Sequence, residues 1–264
     1  MDNIEQIAIP TGVVLDLDGV MWIAGQPAYA AARLVQTMRH HSIPFCVLTN
    51  DCTQSAAYRW RQLHDAGIAV EPHEVLTAPA LARDWLVNEG VRSVRYLGKP
   101  EASEDLSPLD LRETGHVDAV VVGDPFDVYS RDSFEQAAQQ IMNGALFVAM
   151  QRKRFWHDAE TWHIDNGFWI AGLEYVTGVA ATVVGKPSAT AYASAFEHLA
   201  LPQESKTEVA MVSDDIDVDL AGAREFGFQT IYIGHAATTP DWLTTAVADL
   251  SSFERRLART DDAS

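Results

Sequence analysis

The chain has 264 residues, of which 47% are apolar, 19 are Lys or Arg and 37 are Asp or Glu, so its net charge is −18. This length allows one large domain or two modest ones, and the apolar share excludes wholesale disorder. Because phosphate backbones and anionic membranes attract Lys and Arg, the charge argues against nucleic acid and membrane partners.

The two cysteines and the first residues bear on the cellular location. Cys46 and Cys52 are too few for a disulfide framework and wrongly spaced for a zinc site, so we expect the reduced thiols of a cytoplasmic protein. Asp2 and Glu5 stand where a signal peptide would need positive charge, and no apolar run is long enough to cross a bilayer. The sequence therefore predicts a soluble protein without a targeting segment.

The first part of the chain alternates short apolar runs with segments of helical periodicity. Residues 13–15 predict a buried strand, and 28–41 have the spacing of an amphipathic helix. Residues 45–48 predict a second strand, and 56–66 a second helix that ends at Gly67. Such alternation is typical of a parallel sheet covered by helices.

Two further α/β segments follow. The middle of the chain predicts strands at 93–97, 117–122 and 146–150 and helices at 81–88 and 133–142. Near the end, the pattern predicts strands at 182–184, 209–212 and 230–233 and helices at 191–199 and 220–226. We therefore predict an α/β protein with a Rossmann-like, doubly wound parallel-sheet core, formed by 1–78 and 179–264, and an inserted α/β cap at 79–178.

Two acidic segments follow predicted core strands. Asp16 and Asp18 come after the first strand, beside Gly19. Their carboxylates could hold a hard cation, could act as nucleophile and acid or base, or could simply form a turn or a helix cap. The segment 213–219, after the strand at 209–212, has four carboxylates. They could bind a metal or begin a solvated helix, whose dipole favours negative charge there.

Two other segments are neutral or basic. Thr49 and Asn50 follow the second strand and could hydrogen-bond an oxyanion or cap the next helix. Lys186, between Gly185 and Pro187, follows the strand at 182–184 and could bind an anion or lie on the surface. Because the carboxyl ends of parallel strands meet at one edge of a sheet, we expect all four segments to converge there.

In this order the four segments resemble the motifs of the haloacid dehalogenase-like superfamily of phosphotransferases, over nearly the whole chain. The large insertion between the second and third segments resembles subclass IIA, the NagD-like or p-nitrophenyl phosphatase-like proteins. Residues 172–175 and 183–187 are most similar to the branch that holds the phospholysine phosphohistidine inorganic pyrophosphate phosphatases.

The resemblance implies a catalytic role for each segment. Asp16 would be the nucleophile that becomes an aspartyl-phosphate, and Asp18 would protonate the leaving group and then activate water. Thr49, Asn50 and Lys186 would bind the transferring phosphoryl group. A carboxylate can approach a phosphate dianion only when positive charge offsets the repulsion, so these assignments are chemically coherent.

The resemblance also implies a Mg²⁺ cofactor. Asp16, the backbone carbonyl of Asp18 and Asp214 would hold the ion, and Asp215 and Asp219 would orient these ligands. Dehalogenases of the superfamily lack an acid two residues after the nucleophile, so Asp18 favours phosphoryl transfer. The implied activity is hydrolysis of a small phosphorylated metabolite.

Two alternative functions and one partner remain open. A phosphotransferase or mutase would use the same intermediate, and a catalytically idle binding or regulatory protein would keep the fold alone. The complete set of motif residues argues against an idle protein. Caps in this subclass commonly help to form dimers, which makes a homodimer through the cap a further expectation.

Three features depart from the family pattern. Asp51 stands where Asn is frequent, and Ser213 stands where Gly is usual. Asp51 could point into a helix cap or weaken anion binding. In the insert, residues 150–153 replace the Thr-Asn-Pro-Asp of many relatives.

The insert also has a basic cluster at 152–154, which several aromatic residues follow. One interpretation is an exposed basic turn with core aromatics. The other is a surface that closes on the substrate, in which Arg152, Arg154 and Trp169 contact the leaving group. His157, His163 and Asp165 are poorly spaced for a metal site.

Overall fold

The computed structural model describes residues 9–126, 130–157, 161–236 and 238–258, apart from the side chain of His157. Contacts between residues divide the chain into two compact units. The first unit consists of 1–49, 60–75 and 192–264, and the second unit of 50–59 and 76–191. The domain boundaries predicted from the sequence are drawn at other positions and stay a prediction.

Most strands belong to two parallel sheets, and the others form short antiparallel hairpins. The strands are β1 (Gly12–Leu15), β2 (Trp22–Ile23), β3 (Gln26–Pro27), β4 (Phe45–Thr49), β5 (Val75–Thr77), β6 (Ser93–Leu97), β7 (Asp110–Leu111), β8 (Ala119–Val122), β9 (Leu146–Ala149), β10 (Phe155–His157), β11 (Trp162–Ile164), β12 (Thr182–Val183), β13 (Val209–Ser213), β14 (Gln229–Ile233) and β15 (Thr245–Val247).

The helices are α1 (Ala31–His40), α2 (Ala56–Asp65), α3 (Ala78–Asn88), α4 (Arg131–Met142), α5 (Asn166–Thr177), α6 (Ala189–Leu199), α7 (Ala221–Phe226) and α8 (Leu250–Ala258). Short 3₁₀ segments run over Pro72–Glu74, Pro100–Leu106 and Gln203–Glu208, and a π-helical turn over Ile216–Leu220.

The first unit contains a six-stranded sheet in the order β15-β14-β13-β1-β4-β5. Strand β1 is central, and its Leu15 lies opposite Val212 of β13 and Val47 of β4 in parallel register. All three side chains are fully buried, as expected for a parallel sheet covered on both faces. The predicted doubly wound parallel sheet is confirmed.

The second unit has its own parallel sheet, in the order β12-β9-β8-β6-β7. In β8, Ala119 and Val121 belong to one apolar cluster, whereas Val120 and Val122 belong to another. Because successive side chains of a strand point to opposite faces, both faces of this sheet are buried. The strands and helices predicted for the middle of the chain are confirmed, with ends shifted by up to three residues.

The sequence did not predict helix α5. The Asp165 side chain accepts a hydrogen bond from the Asn166 N–H at its start, and the helix ends at Gly178, whose φ is +69°. Ile170 is buried, but the aromatic residues of α5 include exposed ones such as Tyr175. Apolar residues on every side of the helix hide the 3.6-residue period on which a helix prediction depends.

One strand was assigned to the wrong sheet. Residues 182–184 were predicted as a core strand, but β12 pairs in parallel with β9 of the second unit, with Val183 opposite Ala149. The ladder continues as the N–H groups of Val184 and Gly185 donate to the carbonyls of Ala149 and Met150, at 3.0 and 2.9 Å. An apolar run indicates a buried strand but carries no information about which of two parallel sheets it joins.

Cys46 and Cys52 are free and buried, as predicted for reduced thiols. Asp2 and Glu5 lie outside the described residues. Within the described ranges, no helix has the length and apolar character that a bilayer crossing needs.

Candidate active site

Three neighbouring strands of the first unit end in polar residues at one sheet edge. Asp16 directly follows β1, Thr49 ends β4 and Ser213 ends β13. All three are buried, with exposures of 8%, 1% and 0%. A buried carboxylate is costly unless hydrogen bonds or a cation compensate it, so this edge is a candidate site.

Asp16 is held by the main chain on both sides. Its N–H donates to the Val212 carbonyl at 2.9 Å, which extends the pairing of β1 with β13 by one residue. Its Oδ1 accepts a hydrogen bond from the N–H of Leu17, also at 2.9 Å. The carboxylate therefore has a fixed orientation at the end of the central strand.

A tight loop then reverses the chain. The Leu17 carbonyl accepts hydrogen bonds from the N–H groups of Met21 and Trp22, at 2.9 and 2.8 Å, and the N–H of Gly19 donates to the Trp22 carbonyl at 2.8 Å. Gly19 has φ +88°, a conformation that residues with a Cβ rarely adopt. Asp18, by contrast, is exposed.

Gly19 also brings the loop against the next acidic segment. A Cβ at Gly19 would overlap the carboxylate of Asp214, which follows β13. The Asp18–Gly19 peptide therefore runs directly beside that carboxylate. The absence of a side chain at position 19 is what allows the backbone of one segment to approach the carboxylate of the other.

The Ser213 hydroxyl lies between the carboxylates of Asp16 and Asp219. It lies 2.8 Å from Asp219 Oδ2 and 3.4 Å from Asp16 Oδ2, and it accepts a hydrogen bond from the Asp215 N–H at 3.1 Å. A hydroxyl donates one proton, so the shorter contact identifies Asp219 as its acceptor. The departure from the usual Gly at this position therefore adds a buried hydrogen bond among the acidic residues.

Asp215 and Asp219 contribute to the local structure as well. Asp215 caps the π-helical turn by accepting the Val218 N–H on Oδ1 at 2.9 Å. The carbonyl of Asp219 accepts the Tyr192 hydroxyl at 2.7 Å. Burial, and after it the charges of Asp219 and Asp16, raise the pKa of Tyr192 above its ordinary range, so the phenol stays a donor. Sequence analysis missed Tyr192, because a single tyrosine on a helix carries no distinguishing pattern.

The donor set at this edge suits Mg²⁺. Magnesium prefers oxygen ligands and is commonly bound by one or two carboxylates while it keeps several waters. Asp16 and Asp214 supply carboxylates, and the Asp18–Gly19 peptide beside Asp214 supplies a backbone carbonyl. This candidate set has two carboxylates and a backbone carbonyl; among the described residues no group of three or more His, Cys, Asp or Glu side chains is arranged for a metal.

Asn50 and Lys186 lie in the second unit and contact each other. The Asn50 side-chain amide donates to the Lys186 carbonyl at 2.9 Å, and the Lys186 N–H donates to Asn50 Oδ1 at 2.8 Å. Lys186 is only 2% exposed. Asn50 and Lys186, two of the predicted phosphate-binding residues, are thus hydrogen-bonded to each other.

The charge of Asp51 is compensated within the second unit. Its Oδ2 accepts the Arg59 Nε–H at 2.7 Å, and its Oδ1 accepts both the N–H and the hydroxyl of Thr53, at 2.9 and 2.6 Å. Both members of the ion pair are largely buried. These contacts hold Asp51 beside the first turn of α2, where the Ser55 hydroxyl accepts the Tyr58 N–H at 3.2 Å. The effect of Asp51 on anion binding stays a prediction.

The cap candidates differ in their contacts. Arg152 Nη2 lies 2.6 Å from Glu174 Oε2, whose other oxygen accepts the Ala181 N–H at 3.0 Å. The Arg154 guanidinium carbon lies 5.6 Å from the centre of the Phe155 ring. Trp169 packs against a group of aromatic rings, namely Phe126, Phe134 and Phe168. Their roles with substrate stay a prediction.

The segment that replaces the usual Thr-Asn-Pro-Asp forms a partly buried polar contact. Gln151 Nε2 donates to Asp165 Oδ1 at 2.7 Å, and the same oxygen accepts the Asn166 N–H at 2.6 Å. Burial raises the pKa of Asp165 above its usual value, although both hydrogen bonds lower it. The Asp165 carboxylate therefore caps the start of α5.

Two family models match the chain. Residues 13–112 match the model described as haloacid dehalogenase-like hydrolase, and residues 183–252 match a second one described as HAD-hydrolase-like. The two matches contain Asp16, Asp18, Thr49, Lys186 and Asp214.

Named proteins and a solved structure are similar along most of the chain. A phospholysine phosphohistidine inorganic pyrophosphate phosphatase of Bos taurus is 28% identical over 87% of this chain and 84% of its own length. An acid sugar phosphatase of Staphylococcus epidermidis is 26% identical over 86% of this chain and 87% of its own length. NagD of E. coli K-12 superposes with a TM-score of 0.80 at 21% identity, over 92% of this chain and 98% of that one, which shows a shared fold. The chain belongs to the haloacid dehalogenase-like hydrolase superfamily, and these similarities agree with the predicted subclass IIA.

Proposed function

We propose that this protein is a Mg²⁺-dependent phosphatase that hydrolyses a small phosphorylated metabolite through an aspartyl-phosphate on Asp16. One observation carries the proposal. The buried Asp16 carboxylate ends the central strand, Asp18 follows two residues later, and the Asp18–Gly19 peptide runs beside Asp214. A phosphatase of this class needs a nucleophile, an acid and a cation site in that arrangement.

The chemistry divides into two steps. An oxygen of Asp16 attacks phosphorus while the bond to the leaving-group oxygen breaks, and Asp18 gives its proton to that oxygen. Asp18 then takes a proton from water, whose oxygen attacks phosphorus, so that phosphate leaves and the Asp16 carboxylate is restored. Mg²⁺ on Asp16, Asp214 and the Asp18 carbonyl would offset the repulsion between the phosphate and the carboxylates.

Thr49 and Lys186 are proposed to bind the phosphoryl group. The Thr49 hydroxyl can donate to a phosphoryl oxygen, and the Lys186 ammonium would supply positive charge to the phosphoryl group. The names of the relatives support the activity class and differ in substrate. Phosphate monoesters of sugars, pyrophosphate and phosphoramidates of lysine and histidine are therefore the compounds to screen.

The first test is hydrolysis of p-nitrophenyl phosphate with and without Mg²⁺. We expect turnover that EDTA abolishes and added Mg²⁺ restores. Asp16→Asn should lower kcat by at least about 10³-fold, because an amide is a poor nucleophile and a weaker metal ligand. Asp217→Asn is the matched control, since Asp217 lies in the acidic segment but is exposed and has no assigned role.

Two results would contradict the proposal. If Asp16→Asn keeps a tenth of the wild-type rate, the covalent mechanism is wrong. If the wild-type protein hydrolyses no compound of the screen with any divalent metal, a binding or regulatory role becomes the better interpretation. Radiolabelled phosphate trapped on Asp16 by rapid quench would support the intermediate directly.

A further inference from the structure

We propose that Asn50 is a positioning residue that fixes the main chain of Lys186, and that it is not itself a phosphate ligand. The inference rests on the proposed function, because only that function gives Lys186 a phosphoryl group to bind. It also changes the role that the family resemblance implied for Asn50.

The contact between the two residues is reciprocal. Asn50 uses its amide nitrogen on the Lys186 carbonyl, at 2.9 Å, and its amide oxygen on the Lys186 N–H, at 2.8 Å. A side-chain amide is the group that can satisfy a backbone donor and a backbone acceptor of one residue together. The two bonds occupy both main-chain polar groups of Lys186, 136 residues further along the chain.

Close packing holds the same loop from a second side. The Gly185 N–H donates to the Met150 carbonyl at 2.9 Å. A Cβ at Gly185 would overlap that carbonyl and lie 2.6 Å from Asn50 Oδ1. Asn50 and Met150 therefore leave room only for a glycine before Lys186, and the loop is fixed between them.

The contact of Asn50 with the Lys186 main chain, here called the clamp, begins where the backbone ladder of β12 ends, at Gly185. Strand β12 is two residues long and lies at the end of its sheet, and Lys186 comes three residues after it. A lysine side chain has four rotatable carbon–carbon bonds, so the reach of its ammonium is set by where the main chain is anchored. Asn50 directly follows Thr49 in the sequence, so the clamp links the Lys186 main chain to the residue next to the predicted hydroxyl donor.

A double-mutant cycle separates positioning from direct binding. The probe is inorganic phosphate, titrated calorimetrically with saturating Mg²⁺ and also measured as a competitive inhibitor of p-nitrophenyl phosphate hydrolysis. We expect Asn50→Ala to weaken phosphate binding about 10- to 100-fold. Lys186→Ala should weaken it at least as much, and the double variant should bind no worse than Lys186→Ala alone. If the two losses multiply in the double variant, Asn50 binds phosphate itself and the proposal is wrong.

Amide hydrogen exchange tests the clamp without any activity. In the wild-type protein the Lys186 amide should exchange slowly, and in Asn50→Ala it should exchange about 10-fold faster or more, because its acceptor is lost. The amides of β13 should keep their rates. Unchanged exchange at Lys186 in Asn50→Ala would overturn the clamp whatever the enzyme assays show.

The two failures are distinguishable. If the wild-type protein neither binds phosphate nor hydrolyses any ester, the proposed function fails while the exchange data still decide whether Asn50 holds Lys186. If the wild-type protein is active and Asn50→Ala binds phosphate normally, the positioning role alone fails. Asn50→Ser, whose side chain is too short to reach both groups, replaces the alanine variant if that one does not fold.

Discussion

Asp16 and Lys186 are both buried, charged residues that follow a parallel strand, yet different interactions hold them. Asp16 comes directly after the central strand β1, and the ladder to Val212 extends onto its own N–H. Lys186 comes three residues after the terminal strand β12, and the Asn50 side chain binds its main chain. Asp16 is therefore positioned by the sheet ladder itself, whereas the ladder of β12 reaches only Gly185 and the Asn50 side chain binds the main chain of the next residue, Lys186.

The largest effect expected on the Asp16 side concerns Asp18. Its carboxylate should act by proton transfer, and only its backbone carbonyl is proposed to bind Mg²⁺, so Asp18→Asn should keep Mg²⁺ affinity within a few-fold. Positioned acids and bases contribute about 10²–10⁴-fold in rate. We expect a loss of that order for alkyl phosphates and a smaller one in the phosphorylation step for p-nitrophenyl phosphate, whose leaving group needs no proton.

Single-turnover kinetics with rapid quench measures this difference. Since water activation still needs a base, the aspartyl-phosphate should accumulate in Asp18→Asn with the activated ester. Equal slowing of both ester types, together with a large loss of Mg²⁺ affinity, would mean that Asp18 is only a ligand or a structural carboxylate. The sheet edge would then hold the metal by a different set of groups.

A substitution at Gly19 tests whether the close approach of this residue to the Asp214 carboxylate is needed for Mg²⁺ binding. Gly19→Ala puts a methyl group into the Asp214 carboxylate, so we expect Mg²⁺ affinity to fall about 10- to 100-fold. It should also lower the free energy of unfolding by about 1 kcal/mol or more, because φ is +88°. Calorimetric Mg²⁺ titration and chemical denaturation measure the two effects.

Gly25→Ala is the matched control for this variant. Gly25 also has a positive φ, +78°, but an added Cβ would meet nothing within 4 Å. Gly25→Ala should therefore lower the free energy of unfolding by a similar amount and keep wild-type Mg²⁺ affinity. If both variants bind Mg²⁺ equally well, the contact between position 19 and Asp214 has no bearing on the metal.

Ser213 should affect stability more than catalysis. Ser213→Gly restores the residue usual in the family and removes the hydroxyl that lies 2.8 Å from Asp219 Oδ2. Loss of a donor to a buried carboxylate costs about 1–3 kcal/mol, so we expect the free energy of unfolding to fall by that amount. Ser213→Ala should behave alike, because it also lacks the hydroxyl. A stability equal to the wild type in both variants would show that the hydrogen bond is not stabilising.

The sequence predicts which strands precede Asp16 and its neighbours in the first unit, and the reason is physical. Buried parallel strands have continuous apolar sequences, and the residues at their carboxyl ends lie at one edge of the sheet. The apolar runs of β1, β4 and β13 therefore predict the positions of Asp16, Thr49 and Asp214. No sequence pattern could assign β12 to its sheet, because apolar runs of either sheet look alike. The prediction that Lys186 follows a strand of the core sheet is therefore wrong, since β12 pairs with β9 of the second unit.

Long-range side-chain contacts are the second kind of information that the sequence lacks. The bonds of Asn50 to Lys186 and of Ser213 to Asp219 depend on which residues the finished fold brings together. Residue types alone leave two alternatives for Asp51, and its ion pair with Arg59 is visible only in the fold. Periodicity constrains which face of an element is buried but does not identify its polar partners.

We expect the smallest effects from the basic cluster at 152–154, in which Arg152 and Arg154 have different side-chain contacts. Arg152 is paired with Glu174 at 2.6 Å, and such partly exposed pairs contribute about 0–1 kcal/mol, so Arg152→Ala should lower stability slightly and change no substrate preference. Arg154 has its guanidinium near the Phe155 ring, and Arg154→Ala should raise KM by a few-fold for substrates with a second anionic group, such as pyrophosphate. Steady-state kcat/KM for pyrophosphate and p-nitrophenyl phosphate, measured with both variants, gives the comparison. Equal changes for the two substrates in Arg154→Ala would mean that Arg154 does not bind a second anionic group.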